Sequence, residues 1–161
     1  MSELGWSAPV RRIDAPSALR GIRWQHGRIR ALLERARIIA EQTLEGAAPS
    51  GDAVASAIGD IRSIMEVHLT FEEAVLFPLL GDDLPVGPQR ADRLAEEHRR
   101  QRSMLSDLHR EARAHPELPA LATKLAFLTS WLLADMDEEE RSLLTPDVVR
   151  DDSIVVDQTC G

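Results

Sequence analysis

The chain has 161 residues, 43% of them apolar, which is enough for one domain with a full hydrophobic core and too few to expect two. A formal charge of −8 argues against nucleic acid as the main partner, because phosphate recognition needs a net basic face. A single cysteine, Cys160, leaves no disulfide framework and no zinc–thiolate site, and no run approaches the roughly 18 apolar residues of a membrane span.

Met1 to Val10 lacks the apolar core of a signal peptide, so a cytoplasmic protein that does not meet the membrane is expected. The first periodic segment opens at Asp14, a good N-cap, with Pro16 in the first turn, and stops near Glu45 before Gly46. Its apolar stripe is Leu19, Ile22, His26, Ile29, Leu33, Ala36 and Ala40, in steps of three and four. A second helix, capped by Ser50 or Asp52, carries Val54, Ile58, Ile61, Met65, His68, Glu72, Val75 and Leu79 and ends near Pro78 to Gly81. The third opens at Pro88 and runs to about His115, with Ala91, Leu94, His98, Gln101, Leu105, Leu108 and Ala112 inward. The fourth spans roughly Pro119 to Leu144 and turns acidic from Asp135 to Glu140. With no Tyr and only three Phe and three Trp, the core must be mostly aliphatic, which suits helices better than sheets.

The expected fold is therefore all-α: an up-down-up-down four-helix bundle over residues 14–146, with an N-terminal extension (1–13) and a C-terminal tail (147–161). The tail is β-branched at Ile154-Val155-Val156, and either packs back as an extended arm or stays disordered. The arginines at 28, 30, 35, 37, 99, 100 and 102 are interleaved with glutamates and predict solvated, ion-paired helix faces.

Histidine or glutamate in a core stripe is costly unless paired or bound to metal. A lone core histidine is usually satisfied by a neighbour, but here His26, His68 with Glu72, and His98 come from three different helices. His68 and Glu72 are four apart, so their side chains leave one helix face a turn apart. The two halves also echo each other: His26-x-Arg-x-Arg-x-x-Leu33 with His98-x-Arg-x-Arg-x-x-Leu105, and Glu72-x-x-x-Leu-x-Pro78 with Glu140-x-x-x-Leu-x-Pro146. Matched through these prolines, the partner of His68 is Met136, a poor ligand for oxidised iron and more naturally a packing residue. On this matching, Met136→His would raise iron content if that position faces the site.

This pattern resembles the bacterial hemerythrin-like domains, the His-His-Glu cation-binding family. Its outline is His on helix one, His-x-x-x-Glu on helix two, His on helix three and His-x-x-x-Glu on helix four. The likeness runs from about Asp14 to Pro146 and is most specific at His68-Leu-Thr-Phe-Glu72-Glu-Ala-Val-Leu-Phe-Pro78. It implies a non-heme di-iron centre, with His26 and His68 on one iron, His98 on the other, and Glu72 and Glu140 bridging. The chain departs from the pattern at Met136, and at Arg102, where oxygen-transport relatives carry a second helix-three histidine. Asp135, Asp137 and Glu139 are nearby substitutes for the missing imidazole, Asp135 and Glu139 sharing a face four residues apart.

The expected function is iron-dependent binding or sensing of O2 or a related diatomic or peroxide, with one or two non-heme irons, or zinc or manganese in their place. No nucleophile–base pair or phosphate loop is visible, so binding is expected ahead of catalysis. Peroxide or Fe(II) oxidation at the same centre is the alternative from the enzyme class. A degenerate, metal-free bundle acting as an interaction module is the third reading, with Trp6 or the 154–156 arm serving a protein partner or homodimer.

Overall fold

The computed structural model describes residues 11–47, 50–80, 87–114, 117–145 and 153–156. Trp6, offered by the sequence as a partner surface, and the single cysteine Cys160 lie outside them. Four helices follow in chain order: α1 (Ala15–Leu44), α2 (Gly51–Leu79), α3 (Gly87–Arg113) and α4 (Leu118–Ser142). Among the described residues no helix is long and apolar enough to cross a membrane.

The helix ends follow from local chemistry. Asp14 caps α1 by accepting from the Ser17 amide at 2.7 Å, and Ser50 caps α2 by accepting from the Ala53 amide at 3.3 Å. Gly46, at φ 76°, turns the chain after α1 in the left-handed conformation that glycine adopts without strain. Pro78 sits inside the last turn of α2, whereas α4 stops at Ser142, four residues short of Pro146.

Two short strands add to the bundle. β1 (Arg11–Asp14) pairs antiparallel with β2 (Ser153–Val156), Arg11 opposite Val156 and Asp14 opposite Ser153. The β-branched tail segment thus pairs as an extended arm.

α1 packs against both α2 and α4, and α2 against α3. Buried apolar side chains form two clusters rather than one. The larger holds Ile29, Leu33, Ile58, Ile61, Met65, Leu105, Leu125 and Leu132. The smaller, at the opposite end, holds Leu19, Ile22, Val75, Leu76, Leu94 and Leu144. Each fully buried Leu or Ile contributes roughly 1.5–3 kcal/mol. The layer between the clusters forgoes that contribution, because it is occupied by His26, His68, Glu72, His98 and Glu139, all buried.

The arginine-rich faces are ion-paired. Arg30 bonds Asp137 and Glu140, Arg37 bonds Glu34 and Glu41, and Arg102 bonds Glu66 and Glu73. Exposed pairs of this kind contribute little to stability, but two of them have a second role at the polar layer.

Candidate metal centre

The buried layer is arranged around Glu72. His26 and His68 approach each other edge-on, ring centroids 4.8 Å apart at 68°. That angle brings both Nε2 atoms to the same carboxylate oxygen, Glu72 Oε1, at 3.3 and 3.2 Å. His98 Nε2 lies 3.3 Å from the other oxygen, Oε2. From α4, Glu139 reaches in, its Oε2 3.7 Å from His26 Nε2. One donor atom each from His26, His68, Glu72 and Glu139 lie within 4.8 Å of one another.

The far side of each ring fixes which nitrogen faces inward. His26 Nδ1 lies 2.7 Å from Glu140 Oε1, His98 Nδ1 lies 3.0 Å from Glu73 Oε1, and His68 Nδ1 lies 2.9 Å from Gln25 Oε1. An acceptor at Nδ1 assigns the ring proton there, which leaves the Nε2 lone pairs facing Glu72. Arg30 and Arg102 complete the outer layer by donating to Glu140 and Glu73 at 2.8 and 2.6 Å. Outer carboxylates of this kind orient an imidazole and raise its basicity as a ligand.

The inner atoms are unsatisfied. His26 Nε2, Glu72 Oε1, Glu72 Oε2 and Glu139 Oε1 are buried with no hydrogen-bond partner among the described residues. A lone pair opposite a carboxylate oxygen is repulsive unless a proton or a cation lies between them. Protonation states respond accordingly. Burial, and then the repulsion that a second imidazolium at His26 or His98 would add, push His68 down to about 3. Burial also lowers His26 and His98, outweighing the pull of Glu140 and Glu73. Burial and the adjacent Glu139 raise the Glu72 carboxyl well above its ordinary value, and burial raises Glu139 to about 7. Glu73 and Glu140 behave oppositely: burial works against their ionisation, but Arg102 with His98, and Arg30 with His26, hold both below the ordinary value. Three neutral imidazoles therefore face carboxyls that retain protons, and a cation would replace those protons while pairing every unsatisfied atom. Imidazole nitrogen with carboxylate oxygen suits iron, manganese or zinc.

The structure places four of the five sequence-selected residues, His26, His68, Glu72 and His98, together in this layer. Glu140, expected as a bridging ligand, is partly exposed with its Oε1 2.7 Å from His26 Nδ1, while the adjacent Glu139 is buried and shares the inner group with His26, His68 and Glu72. The prolines used for that matching sit differently: α2 carries Pro78 within its last turn, whereas α4 ends before Pro146. Met136 is buried in the larger apolar cluster. The polar side chain one turn before Glu139 on its face is Asp135, to which Gln101 Nε2 donates at 2.5 Å. Gln25 and Glu73, the outer partners of His68 and His98, had no periodic signal in the sequence. Arg102, expected there in an ion-paired helix face and as a departure from a family histidine, anchors Glu73.

Beside this layer a cavity of about 240 Å³ opens between α3 and α4. Asp135 and Glu139 line it together with Arg90, Arg93, Glu97 and Glu138.

The fold and this cluster define a four-helix-bundle protein with a buried His–carboxylate group able to hold a cation. A family model described as the hemerythrin HHE cation binding domain matches residues 17–145. That span covers most of the chain, and the chain belongs to this family. No curated protein and no solved structure matches it.

Proposed function

We propose that the protein holds non-heme iron in the polar layer and through it binds or senses O2 or a related small oxidant. The observation that carries this reading is the convergence of unsatisfied, buried His26 Nε2, both oxygens of Glu72 and Glu139 Oε1 from three helices. Iron supplies an open coordination position for a diatomic or peroxide ligand. The chain's own residues hold the imidazoles neutral, aim Nε2 inward through Glu140, Gln25 and Glu73, and exclude water with the apolar clusters on either side. His26, His68, Glu72 and Glu139 hold the first ion in this reading, with His98 on the opposite oxygen of Glu72.

The test is anaerobic loading with Fe(II), removal of loose metal, elemental analysis, and optical spectra before and after O2. Iron retained per chain, with a new band on exposure to O2 that reverses on its removal, is the expected result. Absence of retained iron, with zinc and manganese also unbound, overturns the reading and leaves the metal-free interaction module.

A second reading, peroxide or Fe(II) oxidation at the same place, is favoured by the acid-lined cavity leading to Asp135 and Glu139. Sustained peroxide consumption by loaded protein, instead of a reversible spectrum, distinguishes it.

A further inference from the structure

Four seams between neighbouring helices surround the polar layer, and they are closed by different means. At the α1–α4 seam Arg30 bonds Asp137 and Glu140, and Glu140 meets His26. At the α2–α3 seam Arg102 bonds Glu66 and Glu73, and Glu73 meets His98. At the α1–α2 seam Gln25 meets His68, and the Phe71 ring lies so near Gly21 that an added Cβ would stand 3.3 Å from it. The α3–α4 seam differs. These two helices pack least closely of the four neighbouring pairs. Among the described residues they share no ion pair near the layer, their salt bridge Lys124–Glu111 lying towards the far end of the bundle. Near the layer they are tied by one hydrogen bond, Gln101 Nε2 donating to Asp135 Oδ2 at 2.5 Å. Here too the cavity opens, and Glu139, which lines it, belongs to the inner group. Yet Glu72, His98 and Gln101 are at most 3% exposed, so the layer is shut off from solvent in this conformation.

We propose that the α3–α4 seam is the passage by which small ligands and ions reach the layer, and that the Gln101–Asp135 hydrogen bond is the latch that closes it. The inference rests on the reading that the polar layer binds metal. Opening this seam breaks one hydrogen bond, whose two groups water can then satisfy. Opening any other seam takes from a histidine the partner that aims its ring. The closed state also leaves Gln101 Oε1 buried without a partner among the described residues, a cost that water entering the seam removes. Arg90 and Arg93 on the cavity wall stand against Glu97, Asp135, Glu138 and Glu139. The passage therefore suits cations and neutral oxidants better than anions. Gln101 and Asp135 act here as positioning residues that set rates of entry and exit.

The test loads the full chain with Fe(II) anaerobically and follows two rates: iron release to excess chelator, and the spectral change on rapid mixing with O2. Gln101→Ala and Asp135→Ala should each speed both by about tenfold or more while iron per chain at equilibrium stays as in the wild type. The double variant should be no faster than either single one, because both remove the same bond. Asp135→Asn keeps an acceptor for Gln101 and should return the rates to within about twofold of wild type. Lys124→Ala cuts the α3–α4 tie away from the layer and should leave both rates unchanged. Leu125→Ala loosens the larger cluster without touching the seam, and so separates a local opening from general destabilisation. Wild-type rates in Gln101→Ala, or equal acceleration in Lys124→Ala or Leu125→Ala, overturn the passage while leaving the metal reading intact. No iron retained by the wild type overturns the metal reading, and the passage with it.

Discussion

On the α1–α2 side of Glu72 two imidazoles meet one carboxylate oxygen, whereas on the other side one imidazole, from α3, meets the second oxygen, and a cavity between α3 and α4 reaches the neighbouring Glu139. The outer partners differ as well. His26 and His98 are backed by carboxylates that arginines hold ionised, but His68 is backed by the neutral amide of Gln25. One carboxylate therefore faces two environments, two imidazoles at one oxygen and a single imidazole at the other.

The largest effect should come from removing what the two sides share. Glu72→Gln is expected to abolish iron retention, more than about a hundredfold, and to make the metal-free protein more stable by about 1–3 kcal/mol, because a buried carboxyl no longer has to be desolvated. Elemental analysis and denaturant unfolding check the two halves of this statement; unchanged iron content would remove Glu72 from the centre.

Next in size is the contrast between adjacent residues on α4. Glu139→Gln should lose iron nearly as completely, whereas Glu140→Ala should weaken it by roughly 10–100-fold by releasing His26 Nδ1. The reverse order would restore Glu140 to the inner position expected from the sequence.

pH dependence comes third. Glu139 is raised to about 7 from an ordinary 4.5, so its proton stabilises metal-free protein fully below 4.5, and that contribution is lost as pH rises to about 7. A cation competes with the same proton. Iron affinity should therefore fall below about pH 7, by about tenfold per unit for each proton displaced, and titration at about pH 5, 6 and 7 measures that slope. A flat profile would mean that no carboxyl proton leaves on binding.

Met136→His should add no iron and cost about 1–3 kcal/mol, as a polar ring enters the apolar cluster. Smallest of all, Gln25→Glu should strengthen iron retention by less than about tenfold, by giving His68 the carboxylate backing its neighbours have.

The fold was legible because its stripes are nearly uninterrupted, and a histidine in such a stripe must be buried wherever the helix packs. This is why His26, His68 and His98 could be selected, and all are at most 2% exposed. The α4 position was legible too, but through a different signal from the one used. At 3.6 residues per turn, Glu139 lies about 20° around the helix from Leu132, while Glu140 lies about 80° away. The stripe of α4, Leu121, Leu125, Leu128, Leu132 and Met136, continues at Glu139. Matching by proline measured the distance to a helix end, and helix ends are set by local capping rather than by the core. Gln25 and Glu73 were beyond such reasoning, and Gln101, although placed on the inward face of α3, gave no sign of its partner. Their roles depend on which atom of a neighbouring helix they reach, and periodicity within one helix does not encode that.

Separation of the apolar side chains into two clusters has a consequence for cooperativity. The smaller cluster holds the N-terminal turns of α1, the C-terminal part of α2, Leu94 and Leu144, and it meets the larger one only across the polar layer. Without an ion in that layer, the two ends of the bundle are joined mainly by the continuity of their helices. Amide hydrogen exchange in metal-free protein should then divide at the level of His26. Amides around Leu19 and Leu76 should exchange through partial openings, while those around Leu33 and Ile61 await global unfolding. An ion bridging α1, α2 and α4 would merge the two protection classes into one, so the small end of the bundle reports by its exchange rate whether the centre is filled.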